Sequence, residues 1–214
     1  MSTRLLCETA VERLDVDGVA LGVENSSTWL ETRDATDALG ARLAELQVTV
    51  GEGPSEDARR QGGPVLVTDL DSRASQYRWP AFVPLAVAVG ACAMFALPMC
   101  VGAIRLGVLT LHRTRPGPLP SAALRDSLAF AELAMRLLLD EQAGLPVPVD
   151  GELPLHAPQV HQATGMIAMQ LDVRMEDAFV RLRALAFARE RPLAELASDV
   201  VARRIRFHRN GDVS

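Results

Sequence analysis

The chain contains no lysine, because all 22 of its basic residues are arginine. A phosphate-binding loop of the Gly-rich type ends in a lysine, so that class of nucleotide-binding enzyme is excluded. No motif suggests a Ser-His-Asp or Cys-His arrangement, and we expect no catalytic residue. An arginine-only set of cations is also typical of GC-rich coding sequence, and by itself it indicates no mechanism.

Cysteines are few and are not paired in the sequence. Cys7, Cys92 and Cys100 form no Cys-x-x-Cys spacing, and the four histidines show no ligand spacing with them. A structural zinc site needs such pairs, so we expect no metal site and no cofactor. An odd number of thiols fits a reduced compartment. Acidic residues interrupt the first 18 residues where a signal peptide needs an apolar core, and we expect a cytoplasmic protein.

Charge is divided unevenly along the chain. The first 150 residues carry 13 Arg and 19 acidic residues, a net charge of −6, whereas the last 64 carry 9 Arg and 8 acidic residues, a net charge of +1. A nucleic-acid surface needs fixed positive charge against the phosphates. The first part is therefore a poor candidate for such a surface, and the last part is a moderate one.

One segment is long enough to suggest a membrane helix. Residues 81–104 contain 24 positions without a charge, about the length that crosses a bilayer. Two prolines and two glycines interrupt the segment, and the composition of residues 104–111 is that of a strand. We prefer a strand at 91–97 that is buried on both faces, and we expect no membrane partner. A transmembrane helix remains the alternative, because membrane proteins tolerate internal Pro and Gly.

Short helical and strand-like patterns alternate over the first 142 residues. They predict helices at 3–14, 35–46, 54–60 and 121–142, and strands at 18–24, 28–32, 65–67, 91–97 and 104–111. The last helix has apolar residues at alternating spacings of four and three, namely Leu124, Leu128, Ala131, Met135 and Leu138. Such a helix either packs under the sheet or pairs with its copy, and we expect a homodimer.

Residues 50–70, VGEGPSEDARRQGGPVLVTDL, resemble the signature of GAF domains, the small-molecule sensor fold. In that signature a Gly-x-Gly-Pro turn leads to a helix, a Gly-Pro pair and a strand ending in Asp, here Asp69. The resemblance extends over residues 3–142 and implies an antiparallel sheet flanked by helices. The ligand and its binding residues stay unknown, since GAF domains bind diverse ligands. Trp79 and Phe82 either line such a pocket or lie at the rim of the core.

Residues 158–207 predict a compact unit of three short helices. Apolar stripes at helical spacing need one another to be buried, so an all-α three-helix bundle is the simplest solution. Pro192 opens the third helix, where its missing N–H costs nothing. The stripes are Val160, Ala163, Ile167 and Leu171; Ala178, Phe179, Leu182, Leu185 and Ala186; and Leu193, Leu196, Ala197, Val200, Val201 and Ile205.

The same stretch resembles the ANTAR domains, RNA-binding modules of bacterial transcription antiterminators. The similar segments are QATGMIAMQLDV and EDAFVRLRALAFARERPLAELASDVV, where Ala163 and Gly165 fall on the family's Ala-x-Gly and Ala178 with Phe179 on its Ala-Phe. The family usually has a basic residue where Thr164 stands, and a Ser where Arg174 stands. Because Arg174 cannot accept the hydrogen bond of an N-cap, the second helix begins without a good cap.

Together the resemblances imply a transcription antitermination regulator of the actinobacterial type, with an α+β fold. Its parts are a GAF-like sensor at 1–142, a proline-rich linker at 143–157, an ANTAR domain at 158–207 and a tail at 208–214. The implied partners are RNA, as paired stem-loops in nascent transcripts, and an unknown small molecule in the sensor. The RNA is held in an antiterminator shape, so the competing terminator hairpin does not form.

Arginine suits RNA because its planar fork holds a phosphate and stacks on an unpaired base. Guided by the resemblance, we take as candidate RNA-binding residues His161, Thr164, Gly165, Arg181, Arg189, Arg203, Arg204 and Arg206. The last three are expected at the C-terminal end of the third helix. The alternative for the arginines is a solvated face, partly paired with Glu176, Asp177 or Asp199. For Gly165, close approach of another helix is an equal alternative. Met166 and Met169 are expected to pack in the core or an interface, and Phe130, Phe179 and Phe187 in the core.

A second function is that of a DNA-binding helix-turn-helix regulator with a ligand-sensing GAF domain. In such proteins the recognition helix presents base-reading side chains from its first turns. The third helix here offers Glu195, Ser198 and Asp199, whose acidic members are repelled by phosphate. The sequence therefore favours RNA over duplex DNA.

Overall fold

The computed structural model describes residues 2–24, 30–101, 104–142 and 157–208. The described residues divide into two compact units, the first made of residues 2–24, 30–101 and 104–142 and the second of residues 157–208. The predicted turn at 25–27, almost all of the predicted linker at 143–157 and all but the first residue of the tail at 208–214 lie outside the described residues.

Five antiparallel strands form the sheet of the first unit, in the order β2-β1-β5-β4-β3. They are β1 Gly18–Glu24, β2 Leu30–Ala35, β3 Val65–Val67, β4 Ala93–Val101 and β5 Ile104–Arg113. At the centre, Leu109 of β5 lies opposite Leu21 of β1 and Leu97 of β4. Because side chains alternate across a sheet, these leucines enter the core on one face and Val108 enters the core on the other.

Two helices, α1 Thr3–Leu14 and α6 Ser121–Gln142, pack on the face that carries Leu109. The hydroxyl of Ser2 caps α1 by accepting a hydrogen bond from the backbone N–H of Leu5. Of the apolar seam predicted on α6, Ala131 and Leu138 are buried against this core, whereas Leu128 is 44% exposed. The helix therefore packs under the sheet, and pairing with a second copy stays a prediction.

The other face is covered by α2 Ala38–Val50, α3 Pro54–Gln61, α4 Arg73–Arg78 and α5 Phe82–Ala88. The predicted Gly-x-Gly-Pro turn leads into α3. Gly53 has a φ of 133°, and a Cβ there would lie 2.5 Å from Cγ of Gln47. Gln47 in turn accepts a 2.7 Å hydrogen bond from the backbone N–H of Ser55. A glycine is thus required for the chain to pass this close to α2.

The uncharged segment at 81–104 forms no single long helix. It contains α5, which the sequence did not predict, and then strand β4, whose residues are largely buried as expected for a strand covered on both faces. Within the described ranges, no helix has both the length and the apolar character needed to span a membrane. Trp79, which follows α4, and Phe82, the first residue of α5, are buried in the core, so they are not rim residues. Their role in lining a sensor pocket stays a prediction.

The second unit consists of α7 Ala157–Leu171, α8 Met175–Ala188 and α9 Leu193–Val201. The predicted stripes are buried in it, apart from the partly exposed Leu185 and Val201. As expected, Arg174 precedes α8 without making a side-chain capping bond. Two expectations are wrong. Phe187 is 55% exposed rather than core, and α9 ends at Val201, so Arg203, Arg204 and Arg206 lie beyond the helix.

Candidate nucleic-acid interface

Residues 202–208, here called the C-terminal segment, follow α9 and are held against the bundle. Ile205 and Phe207 are buried among its apolar side chains. The backbone N–H of Phe207 donates a 2.9 Å hydrogen bond to Oε1 of Gln170 on α7. Arg203 adopts a left-handed conformation with φ of 58°, and its N–H bonds to the carbonyl of Val200. The segment is therefore fixed at both ends.

Arg204 is neutralised within this arrangement. Its Nε donates a 2.8 Å hydrogen bond to Oδ1 of Asp199, whose other oxygen accepts a 2.9 Å bond from Arg191. These hydrogen bonds, from Arg204 first and Arg191 second, hold the pKa of Asp199 below its usual value. The alternative of a partly paired arginine face is thus correct for Arg204.

An open groove of about 620 Å³ runs between the C-terminal segment and α7, and we call it the C-terminal groove. It is lined by Met166, Met169, Gln170, Arg203, Arg206, Phe207 and His208. Arg203 and Arg206 are exposed and form no ion pair with any described residue. The groove therefore combines apolar side chains with two cations that no carboxylate of the described residues neutralises.

Met169 is the most exposed of the apolar groove residues, with 85% of its surface accessible. It lies about 160° round α7 from the buried Ile167, on the outer face of the helix. The expectation of core packing is therefore wrong for Met169, and packing in an interface stays a prediction. Met166 is half-buried beside it, which agrees with partial packing.

Gly165 lies one turn before Met169 on the same outer face of α7. A Cβ built on Gly165 would have no heavy atom of the described residues within 4 Å. The alternative that another helix approaches closely at this glycine is therefore not supported by the packing of the second unit. The position is open to a ligand.

Thr164 is corrected from a candidate contact to a core residue. It is 0% exposed, and its hydroxyl donates a 2.7 Å hydrogen bond to the carbonyl of Val160. That internal bond satisfies the hydroxyl and allows a polar residue to be buried. The side chain of His161 lies outside the described residues, and its assignment stays a prediction.

Arg181 and Arg189 are exposed on or just after α8, and neither forms an ion pair with a described residue. They do not line the C-terminal groove. Two other arginines of α8 and its N-cap interact with neighbouring side chains. Arg174 forms ion pairs with Glu176 and Asp177, in agreement with the alternative of a partly paired arginine face, and Arg183 lies over the ring of Phe179. The structure thus brings Arg203 and Arg206 together with the face of Gly165 and leaves Arg181 and Arg189 apart from them.

Five groove residues were not predicted as contacts: Met166, Met169, Gln170, Phe207 and His208. The helical period gave a signal for Met169, because it falls opposite the buried stripe. No comparable signal existed for Phe207 and His208, since the return of the chain to α7 depends on the contact between Phe207 and Gln170.

The first unit contains few groups suited to chemistry. In its described part, no group of three or more His, Cys, Asp or Glu side chains is placed to hold a metal ion. Cys7 is buried, and desolvation, then the charges of Asp34 and Glu8, raise its pKa to about 12. A thiol with such a pKa stays protonated and unreactive.

Comparison with known families decides the class of the first unit. Residues 3–141 match the GAF domain, which is more than half of the chain. The chain belongs to the GAF domain family. Residues 156–201 match the ANTAR domain, in agreement with the helices α7 to α9. GAF domains sense ligands and ANTAR domains bind RNA in antitermination, and both are regulatory rather than catalytic. The actinobacterial attribution stays a prediction.

Solved structures show the same fold for the GAF domain. A GAF domain of an Acinetobacter phosphoenolpyruvate-protein phosphotransferase is 11% identical with a TM-score of 0.53, covering 67% of this chain and 83% of that one. A GAF domain of a phosphoenolpyruvate-protein phosphotransferase from Coxiella burnetii is 15% identical with a TM-score of 0.52, covering 66% and 83%. At this identity the likeness concerns the fold alone. A comparison with curated protein sequences finds no significant match.

Proposed function

We propose that this chain is a signal-responsive regulator whose ANTAR domain binds hairpin-loop RNA in nascent transcripts and promotes transcription antitermination. Binding stabilises the antiterminator form of the transcript relative to the terminator hairpin, so the binding free energy selects one of two RNA structures. The protein performs no covalent chemistry in this scheme.

The observation that supports the proposal most strongly is the C-terminal groove, which lies between α7 of the part that matches the ANTAR domain, residues 156–201, and the segment that follows that part. Arg203 and Arg206 there meet no carboxylate of the described residues, so their charge is available to phosphates. A folded transcript offers both phosphates and unstacked bases in its loops. The exposed side chain of Met169 supplies an apolar surface beside the two cations.

Loop RNA is favoured over duplex DNA by the surface of α9. Glu195 and Asp199 lie on that helix, and its last turn carries no basic residue. Ser198 is engaged as well, since its single hydroxyl proton lies within hydrogen-bonding reach of two acceptors, Oε1 of Gln159 and the carbonyl of Ala194. A helix inserted into the major groove needs donors toward phosphates and base edges, which α9 does not offer.

The proposal also assigns the roles of the two domains, the location of the protein and its oligomeric state. The GAF domain at 1–142 binds a small molecule and controls the ANTAR domain at 158–207 through the linker at 143–157. The active species is a cytoplasmic homodimer. A ligand that binds the two states of the sensor with different affinity shifts their populations, and dimerisation or exposure of the helices is the property that changes.

Crosslinking of the full chain to RNA in cells, followed by sequencing, tests the function. We expect a shared stem-loop element upstream of a limited set of genes. A transcription assay on one such leader should show increased read-through when the protein is added. Recovery of duplex DNA sites without any shared RNA element would contradict the proposal and support the helix-turn-helix alternative.

A further inference from the structure

The C-terminal groove has the composition of a site for a single unstacked nucleotide. Its wall on α7 consists of two methionines, Met166 and Met169, and of Gln170. The opposite side carries Arg203 and Arg206 together with Phe207 and His208. A nucleotide has the same division, with a flat base on one side and an anionic phosphate on the other. The volume of about 620 Å³ falls within the range of small-ligand sites, about 300 to 1,000 Å³.

The groove is built in advance of binding. Burial of Ile205 and Phe207, the bond from Phe207 to Gln170, and the pairing of Arg204 with Asp199 fix the C-terminal segment. The other two arginines of the segment, Arg203 and Arg206, are exposed to solvent and line the groove. A fixed backbone lowers the entropy that is lost when these side chains bind a ligand.

The accessible surface of Met169 is not used for packing within the second unit. At 85% exposure it makes little contact with the rest of the bundle, although a methionine gains free energy by being buried. Its thioether is polarisable and packs well on the face of an aromatic ring. Gly165, one turn earlier, leaves room for the backbone of a nucleic acid beside it.

We propose that the C-terminal groove binds one unpaired base of the RNA loop, with Met169 against the face of the base and Arg203 and Arg206 on the adjoining phosphates. This inference rests on the proposed function, because it names the part of the RNA that the ANTAR domain holds. The groove then recognises an unpaired nucleotide, and the duplex stem contributes only through its phosphates.

A cycle of protein and RNA changes tests the groove. A hairpin is selected by the full-length protein from a library with randomised loops, and each loop base is replaced in turn by an abasic site. We expect one position at which the abasic change weakens binding to the unchanged protein about tenfold, the loss of one stacked base. In Met169→Ser the same change should cost about twofold or less, because the partner of the base is already gone.

Met175→Ser is the matched control, since Met175 is also a partly exposed methionine, 38% accessible, but lies on α8 and does not line the groove. It should keep the full abasic penalty. If the abasic penalty at every loop position is the same in Met169→Ser as in the unchanged protein, the groove assignment is overturned while RNA binding stands. If the library yields no bound hairpin, the proposed function fails and the groove assignment fails with it.

Discussion

The backbone N–H of Phe207 lies 2.9 Å from Oε1 of Gln170, and this hydrogen bond joins the C-terminal segment to helix α7. The two residues are 37 positions apart in sequence. Arg203 and Arg206 stand on the segment that this bond fixes, whereas Met169 stands on the helix that accepts it. The spacing between cations and apolar surface therefore depends on this contact.

Gln170→Leu should loosen the segment without unfolding the helices. The change removes the acceptor and leaves the Phe207 N–H without its protein partner, which costs about 1 kcal/mol of stability. We expect faster amide exchange at Phe207 by NMR and weaker RNA binding, with unchanged helical circular dichroism. Gln162→Leu, an exposed glutamine on the same helix, is the control. Equal exchange rates in the two variants would show that the bond does not hold the segment.

The double variant Arg203→Ala with Arg206→Ala should bind hairpin RNA more weakly and with less dependence on salt. Each lost phosphate contact lowers the slope of log K against log salt by about 0.7 to 1. Titrations at several salt concentrations measure this slope. Arg4→Ala with Arg42→Ala removes two exposed arginines from the GAF domain and should leave the slope unchanged. The same slope change in both would indicate a general effect of net charge.

Asp199→Asn should raise the affinity for RNA at low salt and lower thermal stability. Asp199 accepts hydrogen bonds from Arg204 and Arg191, so the amide releases Arg204 from its ion pair, whereas Arg191 keeps its pair with Glu195. Glu195→Gln removes the same charge but contacts Arg191 alone, at 3.3 Å, and should change affinity less. RNA titration and thermal melting of both variants distinguish the two effects. An affinity unchanged by Asp199→Asn would mean that Arg204 contributes nothing when freed.

The stability of the GAF domain should fall as pH decreases, because His112 is buried. Desolvation by burial lowers the pKa of His112. The charges of Asp37, whose carboxylate lies 3.2 Å from Nε2, and of Asp17 raise the pKa, but they do not offset the desolvation. In the unfolded chain His112 binds a proton near pH 6.5, whereas in the folded chain it binds a proton only at lower pH. The contribution of this histidine to the free energy of unfolding is therefore complete above about pH 6.5 and is lost as the pH falls below it.

Urea unfolding at about pH 7.5 and about pH 5 measures this dependence. His112→Gln lowers stability at both values but should reduce the difference between them. His208→Gln, an exposed histidine of the second unit, should preserve the difference. A pH dependence that His112→Gln does not reduce would assign the effect to another group.

The elements predicted residue for residue are those with a clear hydrophobic period and clear boundaries. The helix Thr3–Leu14, the strands Gly18–Glu24 and Val65–Val67 and the helix Ser121–Gln142 agree with the prediction. Helix α2 begins at Ala38, three residues later than predicted. Asp37 accounts for the shift, because its carboxylate caps the helix by accepting from the N–H of Gly40.

The remaining errors come from tertiary contacts. Helix α5 lies in an apolar run, where periodicity does not separate a buried helix from a strand. Its N-terminus is satisfied by Glu52, which accepts hydrogen bonds from the N–H groups of Ala81 and Phe82. A sequence pattern does not reveal a cap supplied from 30 positions away.

The candidate site was predicted by residue type and not by arrangement. Four of the candidate arginines form no ion pair with a described residue, namely Arg181, Arg189, Arg203 and Arg206. Only Arg203 and Arg206 line the same groove. The sequence predicted Arg203 and Arg206 at the end of the third helix, but that helix ends at Val201. Their grouping with Met169 requires the chain to turn back at Arg203, and a left-handed arginine has no sequence signature.

Gly165 shows where two requirements of the ANTAR domain oppose each other. An alanine at this position would meet no neighbouring atom and would make α7 more stable by about 1 kcal/mol. The chain instead exposes bare helical backbone next to Met169. A single methyl group at this position would therefore make the helix more rigid. The same methyl group would also block the close approach of a ligand to the helix backbone.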